Sequence, residues 1–282
     1  MPLTRRATFA LLGGALALAG AGVGVAAPGP ARRELRLAVQ PLGAAAPTHA
    51  LAEALARVLA AAAGRPVAID VAPHPLAHWL ALAAAVRGEA SAPAPDVVVE
   101  EAPLADLRRT VLGHRIAITL GAEDSVSIVT ARPAAFATPE DLRGEVVATV
   151  APPTLTALRV AAILADPLRA PTLRVVADHR AAAMAARGDA VAAAAIPTRL
   201  LDEFPDLTTV VASEDGPGPA VLLAPGLDSA SATALTDAVL APPPELERRL
   251  HRLGLDRPRA ADPARYEGQA GLLAGLWPGR PR

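Results

Sequence analysis

The chain has 282 residues, 52% hydrophobic but only 2% aromatic, with no cysteine and a formal net charge of −1. That length suffices for one large or two modest domains, and an alanine-built core must rely on close helix–sheet packing. The lack of cysteine excludes disulfides, thiolate metal sites, a cysteine nucleophile and a lipid-modified N-terminal cysteine. No basic tract is interleaved with aromatics, so nucleic-acid binding is not expected.

At the start of the chain, Arg5-Arg6 precede an uncharged run over 10–27 that ends in Val25-Ala26-Ala27. A charged start, an apolar middle and small residues at the end predict an export signal cleaved after Ala27. The arginine pair resembles a twin-arginine signal, with an ordinary secretory signal as the alternative. The run is rich in alanine and glycine and barely reaches the roughly 20 residues a membrane span needs. Removing Arg5 and Arg6 with the leader takes the net charge to −3 (−1 minus 2). Residues 28–33 read as a linker.

Alternation of apolar and polar residues predicts a strand over 35–39. Thr48 is expected to cap a helix running to Ala63, with Gly64 as its stop. A strand over 67–71, a helix over 76–86, a loop over 91–95 and a buried strand over 96–99 follow. Residues 115–120 and 125–130 read as paired strands around the Gly121 to Asp124 segment. Strands over 146–150, 173–176 and 191–196 then alternate with two helices, one beginning near Thr156 and one at His179. A strand over 220–224 and helices from Ala230, from Pro244 and over 268–276 complete the chain. Short strands alternating with helices imply an α/β fold with mostly parallel sheet. Periodicity leaves open whether this is one doubly wound domain or two lobes.

Candidate chemistry gathers at a few positions. Thr154 and Thr156 lie at a helix start directly after a strand, where free N–H groups and a partial positive charge favour an anion. Pro152 and Pro153 remove two of those donors, and Thr154 can equally serve as a simple cap. His179 opens the next helix, where its imidazole could donate to an oxyanion or merely cap the helix. Glu100 and Glu101 follow the 96–99 strand. Either one, if it faced a binding cleft, would oppose a bare dianion and favour a ligand bearing an ammonium group; a solvated loop acid is the alternative. His74 and His78 are four apart, but Pro75 separates them and no acidic third ligand is near, so no metal site is expected. No cofactor is expected. No nucleophile elbow, Walker loop, dinucleotide fingerprint or H-E-x-x-H motif occurs, so no enzyme is expected.

Taken in order, several segments resemble one family. They are TPEDLRGEVVATV at 138–150, the hydroxyl-bearing helix start after it, Asp178-His179-Arg180-Ala-Ala-Ala-Met184, and Arg187-Gly188-Asp189-Ala-Val. Together they resemble the second lobe of periplasmic solute-binding proteins of phosphate, phosphite and phosphonate ABC transporters. The segments at 35–41, 50–71 and Ser213-Glu-Asp-Gly-Pro-Gly-Pro219, with Asp262-Pro-Ala-Arg-Tyr266, extend the resemblance over about 34–276. It implies a type 2 periplasmic-binding fold whose two α/β lobes each hold a mostly parallel sheet flanked by helices. The lobes would be 34–125 plus 212–282, and 126–211. It further implies a soluble, monomeric periplasmic protein, not lipid-anchored, that delivers a small oxyanion to a membrane permease. Thr154, Thr156 and His179 would hold the anion, with Glu101 facing it. The chain departs from the family where Pro152-Pro153 and Leu155 replace small polar residues, and where a glycine and a tyrosine are lacking after the 96–99 strand. These departures keep a sulfonate or another organic anion open as ligand. A periplasmic sensor docking to a membrane signalling partner is the rival from another class. A biosynthetic enzyme on the same fold conflicts with the export signal.

Overall fold

Strand β1 (Leu35–Val39) buries Leu35, Leu37 and Val39 on one face and turns Ala38 to the other, the period of two that the sequence carries. The computed structural model describes residues 34–43, 45–121, 125–164 and 171–276. The expected leader and linker, and residues 122–124 of the Gly121 to Asp124 segment, lie outside them. The described residues form one compact unit containing two sheets.

Helix α1 (Ala45–Ala63) lays Leu51, Leu55 and Leu59 in one stripe against the first sheet. It starts three residues before Thr48, which is fully buried inside the first turn and is not the N-cap. Proline is tolerated in a first helical turn, so Pro47 does not delay the start. Gly64 ends the helix in the left-handed region at φ +63°, as expected of a stop residue. Strand β2 (Val67–Val71) pairs parallel with β1. Helix α2 (Pro75–Val86) is capped by His74, whose Nδ1 accepts from the Ala77 N–H at 3.0 Å. Strand β3 (Val97–Glu100), helix α3 (Ala102–Leu112) and strand β4 (Arg115–Leu120) follow.

The chain then enters a second sheet with β5 (Val126–Thr130), β6 (Val146–Thr149), helix α4 (Leu155–Ile163), β7 (Thr172–Val175), helix α5 (His179–Arg187), β8 (Ala193–Pro197) and β9 (Thr208–Ala212). It returns to the first sheet through β10 (Ala220–Leu223), helices α6 (Ser229–Leu240) and α7 (Pro244–Arg252), and β11 (Pro258–Ala260). A short 3₁₀ turn at Pro263–Tyr266 follows, and a second at Gln269–Leu273 stands where a C-terminal helix over 268–276 was expected.

Strand order is β11-β4-β10-β3-β1-β2 in the first sheet and β7-β6-β8-β5-β9 in the second. Both sheets are mixed rather than mostly parallel. In each, two parallel pairings join strands linked by helical crossovers, while strands adjoining the passages between sheets enter antiparallel. The expected pairing of 115–120 with 125–130 does not form. Strand β4 is flanked by β10 and β11, and β5 by β8 and β9, so neither has a free edge for the other.

The alanine content finds its use in β8. Ala193 and Ala195 face a cluster with Val160 of α4, while Ala194 and Ile196 face Ala182, Ala183 and Ala186 of α5. With methyl groups on both faces, helices approach the sheet closely from either side. Two passages join the sheets, and they are hydrogen-bonded to each other. The Val126 N–H donates to Ser213 Oγ at 3.0 Å and the Ser213 N–H to the Val126 carbonyl at 2.8 Å. At the other end the Leu120 N–H donates to the Pro219 carbonyl at 2.7 Å. Among the described residues no helix is long and apolar enough to cross a membrane.

Candidate functional site

A cavity of about 190 Å³ opens between the two sheets. The first-sheet half contributes Leu42, Glu101, Gly121 and Gly254–Asp256; the second contributes Val126, Leu155, Thr156, His179 and Arg199; and Pro217–Pro219 of the return passage close one side. Most of these residues follow the carboxyl end of a strand or open a helix, the usual placement of ligand sites in α/β sheets.

Thr156 and His179 meet there. Thr156 is in the first turn of α4, His179 is the first residue of α5, and Thr156 Oγ1 lies 2.9 Å from His179 Nε2. Asp178 caps α5, accepting from the Ala181 N–H at 2.8 Å, which fixes the start of the helix and with it the imidazole. Burial pushes the imidazole down from 6.5 to about 4, with the nearby Asp178 carboxylate only partly opposing this, so the ring is neutral at physiological pH. A neutral ring has one donor and one acceptor nitrogen. The pair can therefore offer a ligand one hydroxyl or imidazole donor but no positive charge.

Thr154 is placed differently. It is the N-cap of α4, donating its hydroxyl to the Ala151 carbonyl at 2.9 Å and accepting from the Ala157 N–H at 3.4 Å. Of its two open roles it takes the capping one, and it is not among the residues lining the cavity.

Glu101 and Glu100 separate sharply. Glu100, the last residue of β3, is fully buried. Its carboxylate accepts from Arg108 Nε at 2.8 Å and Nη2 at 3.2 Å, and lies 3.0 Å from His78 Nε2. Burial alone would raise its pKa, but Arg108 and His78 together outweigh it and hold the group at about 2. His78 is thus spent on Glu100 and His74 on capping α2, which accounts for both members of the pair. Among the described residues no cluster of three or more His, Asp or Glu could hold a metal.

Glu101 is the N-cap residue of α3, yet its side chain makes no capping bond. It reaches across the cavity instead. One carboxyl oxygen accepts from the Leu155 N–H at 2.7 Å and from Gln40 Nε2 at 3.1 Å, while Gln40 Oε1 accepts from the Glu101 N–H at 2.7 Å. Burial pushes this carboxyl up to about 7, against the opposing pull of Leu155, Gln40, Arg199 and Arg159. Leu155 is the first residue of α4, so its N–H is one of the donors a helix leaves unpaired at its N-terminus. The group standing at that helix start is therefore one of the protein's own carboxyls.

Sequence reasoning did not single out Gln40, Arg159 or Arg199. Gln40 follows β1 and Arg199 follows β8, positions just past strand ends that could have marked both. Arg159 gives no local signal; it donates to Ser213 Oγ at 3.0 Å and to the Glu214 carbonyl at 2.9 Å, tying α4 to the return passage. Gly216 lies directly against that guanidinium, and a Cβ there would collide with Arg159 Nη2. The hydroxyl of Tyr266, fully buried, donates to the Gly218 carbonyl at 3.0 Å and steadies the cavity's proline-rich side.

No family model and no curated protein matches the chain. Solved structures do. XAC2383 from Xanthomonas citri, bound to ATP, aligns over 86% of this chain and 98% of its own with a TM-score of 0.67 at 15% identity. PhnD1 from Prochlorococcus marinus, in complex with methylphosphonate, aligns over 86% and 98% with a TM-score of 0.66 at 10% identity. A binding-protein component of an ABC phosphonate transporter from Pseudomonas aeruginosa aligns over 84% and 83% with a TM-score of 0.60 at 13% identity. The fold is that of the type 2 periplasmic binding proteins, with the phosphonate-binding proteins among its likenesses.

Proposed function

We propose that this chain is the exported, solute-binding component of an ABC transporter and that it holds a small oxyanion in the cleft between two lobes, 34–125 plus 212–282 and 126–211. The observation that carries this reading is the cavity fed from both sheets, with Thr156 and His179 joined at two converging helix starts. Its volume of about 190 Å³ lies below the roughly 300–1,000 Å³ typical of drug-sized ligands, which favours a small solute. The two hydrogen-bonded passages support hinged closure about them. Phosphate, phosphite and phosphonates are the first candidates, and the last is in line with the methylphosphonate complex of the similar PhnD1.

A second reading, a sulfonate or another organic monoanion, is favoured by a specific observation. Glu101 occupies the Leu155 N–H, and Pro152 and Pro153 have none to give, so fewer donors remain for the several charged oxygens of a phosphate.

A thermal-shift screen over phosphate, phosphite, methylphosphonate, sulfate and a short alkyl sulfonate tests both readings. The true ligand at a hundredfold excess over its dissociation constant stabilises the fold by about 2.7 kcal/mol. Small-angle scattering at about pH 9, where Glu101 is ionised, should show a smaller radius with it bound. If none of the five raises the melting temperature, the oxyanion reading fails. Export is tested separately, since residues 1–27 carry that claim. The secreted protein should begin at Pro28, and replacing both Arg5 and Arg6 by lysine should block a twin-arginine route. An exported product beginning at Met1 would remove the leader.

A further inference from the structure

We propose that Glu101 is an internal latch: its carboxyl occupies the N-terminus of α4, ties the two sheets together across the cleft, and must be displaced by an incoming anion. The inference rests on the proposed binding cleft but concerns how that cleft is governed.

Three observations converge on it. Glu101 belongs to the first-sheet half and Leu155 to the second, so their 2.7 Å hydrogen bond spans the cavity both line. Gln40, fully buried behind β1, holds Glu101 at both ends, accepting from its N–H and donating to its carboxyl. Glu101 also forgoes the capping bond that its position at α3 offers. A side chain held in this way is aimed across the cleft, and its partner is a donor that the helix itself cannot satisfy.

The latch carries a pH dependence whose sign follows from its surroundings. Gln40 and Leu155 face the carboxyl as neutral donors, Arg159 and Arg199 add positive potential from α4 and from the turn after β8, and His179 nearby is neutral. Asp256, across the cavity, acts on Arg199. Burial outweighs them all, so the closed form binds a proton more tightly than a solvated carboxyl of pKa 4.5 does. A raised pKa means closure is fully supported below 4.5 and loses that support as pH rises through about 7. Ionised Glu101 then regains water by opening the cleft.

The test is amide hydrogen exchange at Leu155 together with small-angle scattering, on the mature chain with no ligand added. Leu155 heads its helix, so its protection reports on Glu101 and not on helix stability. In E101A the Leu155 amide should exchange about fivefold faster, as expected for losing one hydrogen bond between neutral groups, and the radius should grow. In the wild type the same change should appear on raising the pH from about 5 to about 9. E101Q keeps a neutral acceptor and should stay closed throughout. Equal Leu155 protection and equal radius in E101A and wild type would overturn the latch. If E101A does not fold, the titration decides, since wild-type exchange that follows E101Q at every pH overturns it equally. Methylphosphonate, if it binds, should bind E101A more tightly than wild type; equal or weaker binding to E101A overturns the displacement. Failure of methylphosphonate to bind either protein while the exchange signature is present would sink the phosphonate reading and leave the latch standing.

Discussion

Replacing Arg108 by methionine should cost about 3–5 kcal/mol of folding stability, because it leaves a buried carboxylate without its main counter-charge. Glu100 is fully enclosed, and the Arg108 guanidinium meets it in a two-pronged contact at 2.8 and 3.2 Å. His78 alone offers one ring nitrogen in compensation. Urea unfolding of R108M and of the double variant E100Q/R108M is the measurement. The double variant should recover much of the loss, since it removes the charge along with its partner. A loss below about 1 kcal/mol in R108M would mean that water reaches Glu100 and that the pair behaves like an exposed one. Acid should reveal the same group. With its pKa lowered from 4.5 to about 2, Glu100 contributes stability that is present above 4.5 and is lost as pH falls through 2.

Changing Thr156 to valine should destabilise the fold by about 1–3 kcal/mol, the cost of leaving a buried polar atom without its partner. The shape is kept, but His179 Nε2 loses the hydroxyl 2.9 Å away. A double-mutant cycle with His179→Leu should show a coupling of about 0.5–3 kcal/mol, because the two side chains share one hydrogen bond. Strict additivity would mean that they do not interact in solution. The same pair governs ligand affinity under the proposed function, so losses there should also be less than additive. Here too the pH window is defined. His179 falls from 6.5 to about 4, so its contribution is present above 6.5 and is lost as pH falls through 4. Glu101 runs the opposite way, so the cleft should be most sensitive to pH between about 4 and 7, where both groups titrate.

The helix and strand pattern was legible because each signal is local. Leu51, Leu55 and Leu59 mark a helix face by their spacing, β1 shows its alternation, and Gly64 marks a helix end. Such signals depend on a few neighbouring residues and survive any tertiary arrangement. Errors fell where distant chain competes for an edge. Strands β4 and β5 are close in sequence and look like a pair, yet β10 and β11 take one and β8 and β9 the other. The 3₁₀ turn at Gln269–Leu273 stands in place of the helix expected over 268–276.

For the site, the sequence by itself determined that two helices begin near Thr156 and at His179 after strands, and that a pair of carboxyls stands at the end of β3. Helix starts and strand ends are properties of local backbone hydrogen bonding, so these placements needed no knowledge of the rest of the chain. Only the tertiary structure decided which partner each group meets. Thr154 turned to its own backbone, Thr156 and His179 closed on each other across 23 residues, and Glu100 sank onto Arg108 while its neighbour Glu101 reached Leu155, 54 residues away. Adjacent residues leaving a strand point in opposite directions, so one of two identical side chains enters the core and the other the cleft. Which of them does so depends on burial and on charges brought from afar, and those exist only once the chain has folded.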